Sequence, residues 1–165
     1  MKQTLILPIN RAVVTASMGN AAYQARFGFP HYGTDLVSAV GDPTVYASGV
    51  GTLVAAGWDR YAGNTVIIRY PGAVYRPDGS AADVIFRYFH LAEIARLPTG
   101  ENAITKDTVL GQYGGSGMGS LHYWSPHLHV EADTDVRYPR HSPTFLPNGG
   151  VLFGRRAGAT AATLR

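Results

Sequence analysis

Between residues 127 and 133 polar and apolar side chains alternate without a break, His-Leu-His-Val-Glu-Ala-Asp. A strand turns successive side chains to opposite faces, so His127, His129, Glu131 and Asp133 share one face and Leu128, Val130 and Ala132 the other. For a sheet with one solvated side, the polar face is expected to be the wet one. Runs rich in β-branched or aromatic residues and bounded by turn signals predict further strands over 45–47, 51–56, 64–70, 84–90 and 108–113. Helix is predicted only over 20–26 and briefly over 91–97. The close spacing predicts a mostly β protein with an antiparallel meander or sandwich. Residues 71–83 read as a long hairpin loop turning at Pro77-Asp78-Gly79, and 114–126 as a second long loop.

Composition supports this picture. The chain has 165 residues with 20 Gly and 10 Pro, 45% apolar and 15% charged, a balance that favours short strands joined by turns. Its length fits one domain, expected over 1–147, with a Gly- and Ala-rich tail at 148–165 whose last residues are expected to be mobile. The formal charge is +3 and the pI about 9.3. Lys and Arg are scattered rather than striped, which argues against dedicated nucleic-acid binding and suits contact with a polyanionic surface such as a cell wall. Without cysteine there is no disulfide and no thiolate ligand, so any metal site must use His, Asp or Glu. The apolar patch at the start is interrupted by Pro8, Asn10 and Arg11, so neither an export signal nor a membrane span is expected.

A second polar element lies in "FPHYGTDL", residues 29–36. Pro30 and Gly33 oppose a helix. In an extended segment His31, Gly33 and Asp35 share a face, and the missing side chain at Gly33 leaves room for an ion. Taken singly, each element reads more readily as structure: a turn Asp beside an incidental His, or a polar strand face. Together they offer two imidazoles and a carboxylate, a common catalytic zinc set whose fourth position holds water. His31, Asp35 and one of His127 or His129 would form it. The H-E-x-x-H helix of other zinc proteases and the H-x-H-x-D-H run are both absent. His90, ending an aromatic strand, reads alone as a packed or capping residue.

The order H-Y-G-T-D at 31–35, "VYASGVGTLVAAGWDRYAGNTVIIRY" at 45–70, "YFHL" at 88–91, "VLGQYGGSG" at 109–117 and "PHLHVE" at 126–131 resembles the lysostaphin-type (LytM-like) zinc endopeptidases of peptidoglycan. The resemblance spans roughly residues 10–146. It implies a mainly β fold whose antiparallel sheet, sandwich-like, forms a groove walled by loops, with the site on its floor. By motif match it implies zinc ligands at His31, Asp35 and His129. His127 and His90 would be catalytic, His127 as general base and His90 orienting the water or bonding the tetrahedral oxyanion. Each zinc-bound His should donate its second ring N–H to an acceptor, Glu131, Asp133 or a backbone carbonyl.

Two departures bear on specificity. The segment 117–126 looks longer than the family's, and its His122, Tyr123 and Trp124 could form an aromatic rim for substrate; packing of Trp124 over the core is an equal alternative. The loop at 71–83 also looks extended. A family tyrosine ahead of the H-x-x-x-D motif has no clear counterpart, Tyr23 being a loose candidate. His141 reads as structural or solvated. The implied activity is cleavage of peptide stems or cross-bridges of bacterial cell wall by a monomer, released by lysis, delivered by phage, or exported as part of a larger protein. A catalytically inactive wall-binding or regulatory module of the same fold, and a zinc peptidase acting on other peptides, stay open.

Overall fold

A computed structural model of the chain describes residues 1–134, 136, 153–154 and 156. Among them are ten strands and one short helix. β2 (Ala12–Ala16), β3 (Thr34–Ser38), β5 (Thr52–Asp59), β6 (Gly63–Val74), β7 (Ala81–Ile94) and β9 (Leu128–Asp133) form one antiparallel sheet in the order β2-β3-β9-β7-β6-β5. β4 (Thr44–Tyr46) pairs with β8 (Val109–Tyr113), which joins the far end of β7. β7 is long enough to serve two partners in turn, β9 along residues 85–89 and β8 along 91–94. That change of partner curls the sheet at His90.

Alternation along the strands sorts the two faces. Val66, Ile68 and Tyr70 of β6, Val84, Phe86 and Tyr88 of β7, and Leu128 and Val130 of β9 point into one core with Leu5, Leu36, Ile104 and Leu110. Tyr70 and Tyr88 share a 2.6 Å hydroxyl–hydroxyl hydrogen bond there, and the Ser48 N–H donates to Tyr70 Oη at 2.9 Å. The opposite face was expected to be wet and is not: His129, Glu131 and Asp133 are all buried. Arg87, fully buried, pairs with Asp133, and the ring of Phe89 stacks on His129 at 5.4 Å. Periodicity assigns residues to faces but not the depth of each face.

Two local expectations are corrected. Residues 91–94 continue β7 instead of starting a helix, because β8 supplies backbone partners. The hairpin at 71–83 has a shorter loop than expected: strand pairing persists to Val74 and resumes at Ala81. The Pro71–Gly72 interruption is absorbed as a bulge, with the Gly72 N–H held by Asp83 Oδ1 at 3.1 Å and its carbonyl by the Gln3 N–H at 3.0 Å.

β1 (Leu5–Ile6) and β10 (Phe153–Gly154) form a separate parallel pair. Arg156, buried, donates to the carbonyls of Leu7, Lys106 and Ala47 at 2.8–3.0 Å and lies over the ring of Tyr46. These are the described parts of the residues expected as a tail; the rest of that tail and His141 lie outside the described residues.

Candidate metal centre

Local backbone chemistry positions each polar group. α1 (Ala21–Phe27) starts at Asn20, whose side-chain oxygen accepts the Tyr23 N–H at 2.9 Å, and ends at Gly28, left-handed at φ 79°. This short helix presents Tyr23 and Phe27 on one face, with ring centroids 4.5 Å apart. The chain then returns through His31 into β3. Register puts Asp35 of β3 directly opposite His129 of β9, so two strands hand their polar side chains to one point.

Asp35 Oδ1 lies 3.1 Å from His31 Nε2 and 2.9 Å from His129 Nδ1, and the two nitrogens are 3.1 Å apart. One ligand atom from each of the three residues lies within 4.8 Å of the others. The tautomers follow from the outer partners: His31 Nδ1–H donates to the Ser17 carbonyl at 2.8 Å, and His129 Nε2–H donates to Glu131 Oε1 at 3.3 Å. With those protons outward, each neutral ring turns its lone pair inward beside a carboxylate oxygen, which is a cation's coordination set. Asp133, engaged by Arg87, is not among the outer partners.

Electrostatics agree with that donor set. Burial by itself would raise the Asp35 carboxyl, but hydrogen bonds from His129 and His31 outweigh it and hold the group well below the usual carboxylate range. Burial would likewise depress His129, yet its bonds to Asp35 and Glu131 lift it to about 9.

The remaining histidines flank this point. His127 Nδ1–H donates to the Ser125 carbonyl at 2.7 Å, which leaves Nε2 facing Asp35 Oδ1 at 3.7 Å. His90 Nδ1–H donates to the Ser116 carbonyl at 2.7 Å, and its ring lies 4.9 Å from that of His127. Burial, then the neighbouring His129 and His127, push His90 down to about 3, so it is a neutral imidazole with Nε2 as an acceptor. Its φ of 63° is left-handed for a non-glycine residue. Such a conformation costs roughly 1–2 kcal/mol and persists only where the surroundings enforce it. Here Ala62 O accepts the His90 N–H and the Gly114 N–H donates to the His90 carbonyl.

Gly33 has a different part from the one expected. A Cβ there would sit 2.6 Å from His129 Nε2 and 2.5 Å from the Val130 carbonyl. The space left by glycine is filled by the His129 ring itself, not by an ion.

Aromatic residues wall the site. Tyr23 packs on His31 with centroids 4.3 Å apart, and Trp124 stands edge-on to Phe27 at 6.0 Å and 5.9 Å from His90. Of the three rim candidates, Trp124 lines the cavities beside the histidines; Tyr123 packs behind it, half exposed, and His122 is exposed and lines neither. Tyr23 is the residue that sequence reasoning placed most loosely. Its signal was the Tyr23/Phe27 spacing on a capped helix just ahead of His31.

A chamber of about 130 Å³ is lined by Tyr23, Asp35, His90, Trp124, His127 and His129, among others. A second cavity of about 400 Å³ adjoins it. No helix among the described residues is long and apolar enough to cross a membrane.

The model of Peptidase family M23 matches residues 29–139. Among solved structures, a zinc-containing peptidase from Vibrio cholerae is 22% identical with a TM-score of 0.59, covering 79% of this chain and 37% of its own. A putative glycyl-glycine endopeptidase lytM from Ruminococcus gnavus is also 22% identical, with a TM-score of 0.53 and 82% and 52% covered. The catalytic domain of the prophage-encoded M23 protein EnpA from Enterococcus faecalis, solved as a point mutant, is 19% identical with a TM-score of 0.55 and 90% and 92% covered. The chain thus spans about a third and about half of the first two proteins. No curated protein matches.

Proposed function

Because the chain belongs to peptidase family M23, of the LytM type, we propose that it is a zinc-dependent endopeptidase that hydrolyses amide bonds in the peptide stems or cross-bridges of bacterial peptidoglycan. The observation that carries this reading is the convergence of His31 Nε2, Asp35 Oδ1 and His129 Nδ1, with their tautomers set by outer acceptors. The set suits zinc: two imidazoles, one carboxylate and no sulfur. When bound there, zinc would supply Lewis acidity, polarising the scissile carbonyl and lowering the pKa of water toward about 7.

The chain's own groups supply positioning and proton transfer. His90, held neutral with Nδ1–H on Ser116 O, presents Nε2 as an acceptor that orients the attacking water. His127, fixed through Nδ1 on Ser125 O, takes the water proton at Nε2 and returns it to the leaving amine. Trp124 and Tyr23 exclude bulk solvent from the chamber, which strengthens every charge interaction inside it. Access to the wall by host lysis, by phage delivery or by export within a larger protein belongs to the same proposal, and the basic pI suits an anionic wall.

Purified cell wall digested by the protein, with mass spectrometry of the released fragments, tests the reading. Chelator-sensitive release of peptide fragments, restored by zinc, is expected. Intact wall alongside cleavage of an unrelated protein would overturn the substrate assignment. Wall binding without turnover at full zinc occupancy would favour a regulatory module.

A further inference from the structure

Arg87 is the one charged residue in the apolar run from Val84 to Phe89, yet it is fully buried. Register shows where its charge goes. On the polar face of the β7–β9 pair, Phe89 stands opposite His129, Arg87 opposite Glu131 and Ile85 opposite Asp133. Asp133, also fully buried, pairs diagonally with the Arg87 guanidinium, since Ile85 offers it no donor. Diagonal neighbours on a strand pair lie about 7–8 Å apart, within reach of an arginine side chain. Glu131 gives Oε1 to His129 Nε2 at 3.3 Å, and its Oε2 is sealed from solvent. The cation that register sets across from this carboxylate is Arg87. Among the described residues, Arg87, Glu131 and Asp133 are three of the four buried Lys, Arg, Asp or Glu side chains. Buried charge is thus gathered on one face, behind one metal ligand.

Fold stability is a weak reason for that arrangement, because well-packed apolar residues of similar volume commonly serve a core as well as a buried ion pair does. Orienting a metal ligand is a stronger one. Two contacts fix the His129 ring. Phe89, stacked on it within 1°, sets its plane, and Glu131 sets the rotation within that plane that aims Nδ1 at Asp35 and His31. Resting on the metal-site reading above, we propose that Arg87 is a positioning residue of the metal centre: anchored by Asp133, it holds Glu131 so that Glu131 holds His129. The guanidinium suits this post, being planar, always charged and equipped with five N–H donors, enough for two carboxylates. Arg87 lies one rank behind the ligand and acts on it only through Glu131.

The test reads zinc affinity by chelator competition, Tm of the metal-free proteins by calorimetry, and the exchange-protected Nε2–H resonance of His129 by NMR. Arg87→Met should weaken zinc by at least about tenfold, the scale for an outer partner of a metal ligand, and should shift or broaden that resonance. Arg87→Met combined with Asp133→Leu removes both charges of the pair. Its Tm should return toward the parent's while zinc affinity stays at least about tenfold down; a purely structural pair would recover both. In the Glu131→Gln background, Arg87→Met should cost no more than about twofold further, because its route to His129 is already altered. Asp133→Asn, nearly isosteric, loosens Arg87 without emptying the core and should weaken zinc less than Arg87→Met does, which keeps the proposal testable if the double variant does not fold. Parental zinc affinity in folded Arg87→Met, recovery of affinity together with Tm in the double variant, or full additivity with Glu131→Gln would each overturn the assignment. A parent that binds no zinc, with a His129 resonance that still responds to Arg87→Met, would uphold the positioning role and defeat the zinc reading instead.

Discussion

Gly33→Ala is a one-methyl test of how β3 and β9 build the site. The φ of Gly33 is not in the left-handed region, so the effect is purely steric. The new Cβ would stand 2.6 Å from His129 Nε2 and 2.5 Å from Val130 O, against about 3.4 Å for ordinary contact. The imidazole must therefore retreat by about 0.8 Å and the β9 backbone by about 0.9 Å. Ligand distances in metal sites tolerate roughly 0.2 Å, so His129 cannot keep its place in the donor set. Zinc affinity should drop by at least about tenfold, or ~1.4 kcal/mol, the scale seen when a ligand's support is disturbed. The overpacked β3–β9 contact should cost a further ~1–3 kcal/mol of stability, about 2–4 °C in Tm per kcal/mol at this chain length. Gly28→Ala is the control: its φ is 79°, but a Cβ there meets nothing within 4 Å. It should lower Tm by the cost of a left-handed alanine and leave zinc affinity alone. Competition with a chromophoric chelator measures affinity, and calorimetry of the metal-free proteins measures Tm. A Gly33→Ala protein with parental zinc affinity and Tm would refute the packing account, and a parent that binds no zinc would refute the site.

Further outcomes follow from the same geometry. Alanine at His31, Asp35 or His129 should abolish stoichiometric zinc binding, read by equilibrium dialysis, together with wall hydrolysis. His127→Ala and His90→Ala should keep zinc bound but lower kcat by about 10²–10⁴ as proton-transfer and orienting groups are lost; full activity in either zinc-loaded variant would remove that residue from the mechanism. Burial holds the Tyr70 and Tyr88 hydroxyls above their ordinary range. The folded state then keeps their protons more tightly, so their contribution to stability is full below about pH 10 and is lost progressively above it; Tyr88→Phe should flatten the fall in urea midpoint between about pH 10 and 11, and an unchanged slope would contradict it. Arg156→Ala strips three backbone carbonyls of their donor and should cost roughly 3 kcal/mol or more in urea denaturation.

What could be read from residues alone was what short-range rules govern. Alternation over 127–133 sorted Leu128 and Val130 from His129 and Glu131, and Asn20 with Gly28 bounds a helix found at Ala21–Phe27. Spacing alone offered His31, Asp35 and one of His127 or His129; the family resemblance added His90 and divided the 127/129 pair, and the structure brings all five close together. Periodicity could not show that the polar face is buried, since a period of two gives the face but not its depth. Nor could it show that β7 changes partner at His90, because backbone donors on β8, well down the chain, decide that.

The chain by itself determined which side chains are available and which face of each strand they take, because those follow from chirality and a period of two. Tertiary structure alone decided the rest: the register that sets Asp35 against His129, the carbonyls of Ser17, Ser116 and Ser125 that select tautomers, and the buried pairing of Arg87 with Asp133. Each depends on groups far apart in the chain meeting at hydrogen-bond distance, and such meetings are energies of the folded state that no local pattern encodes.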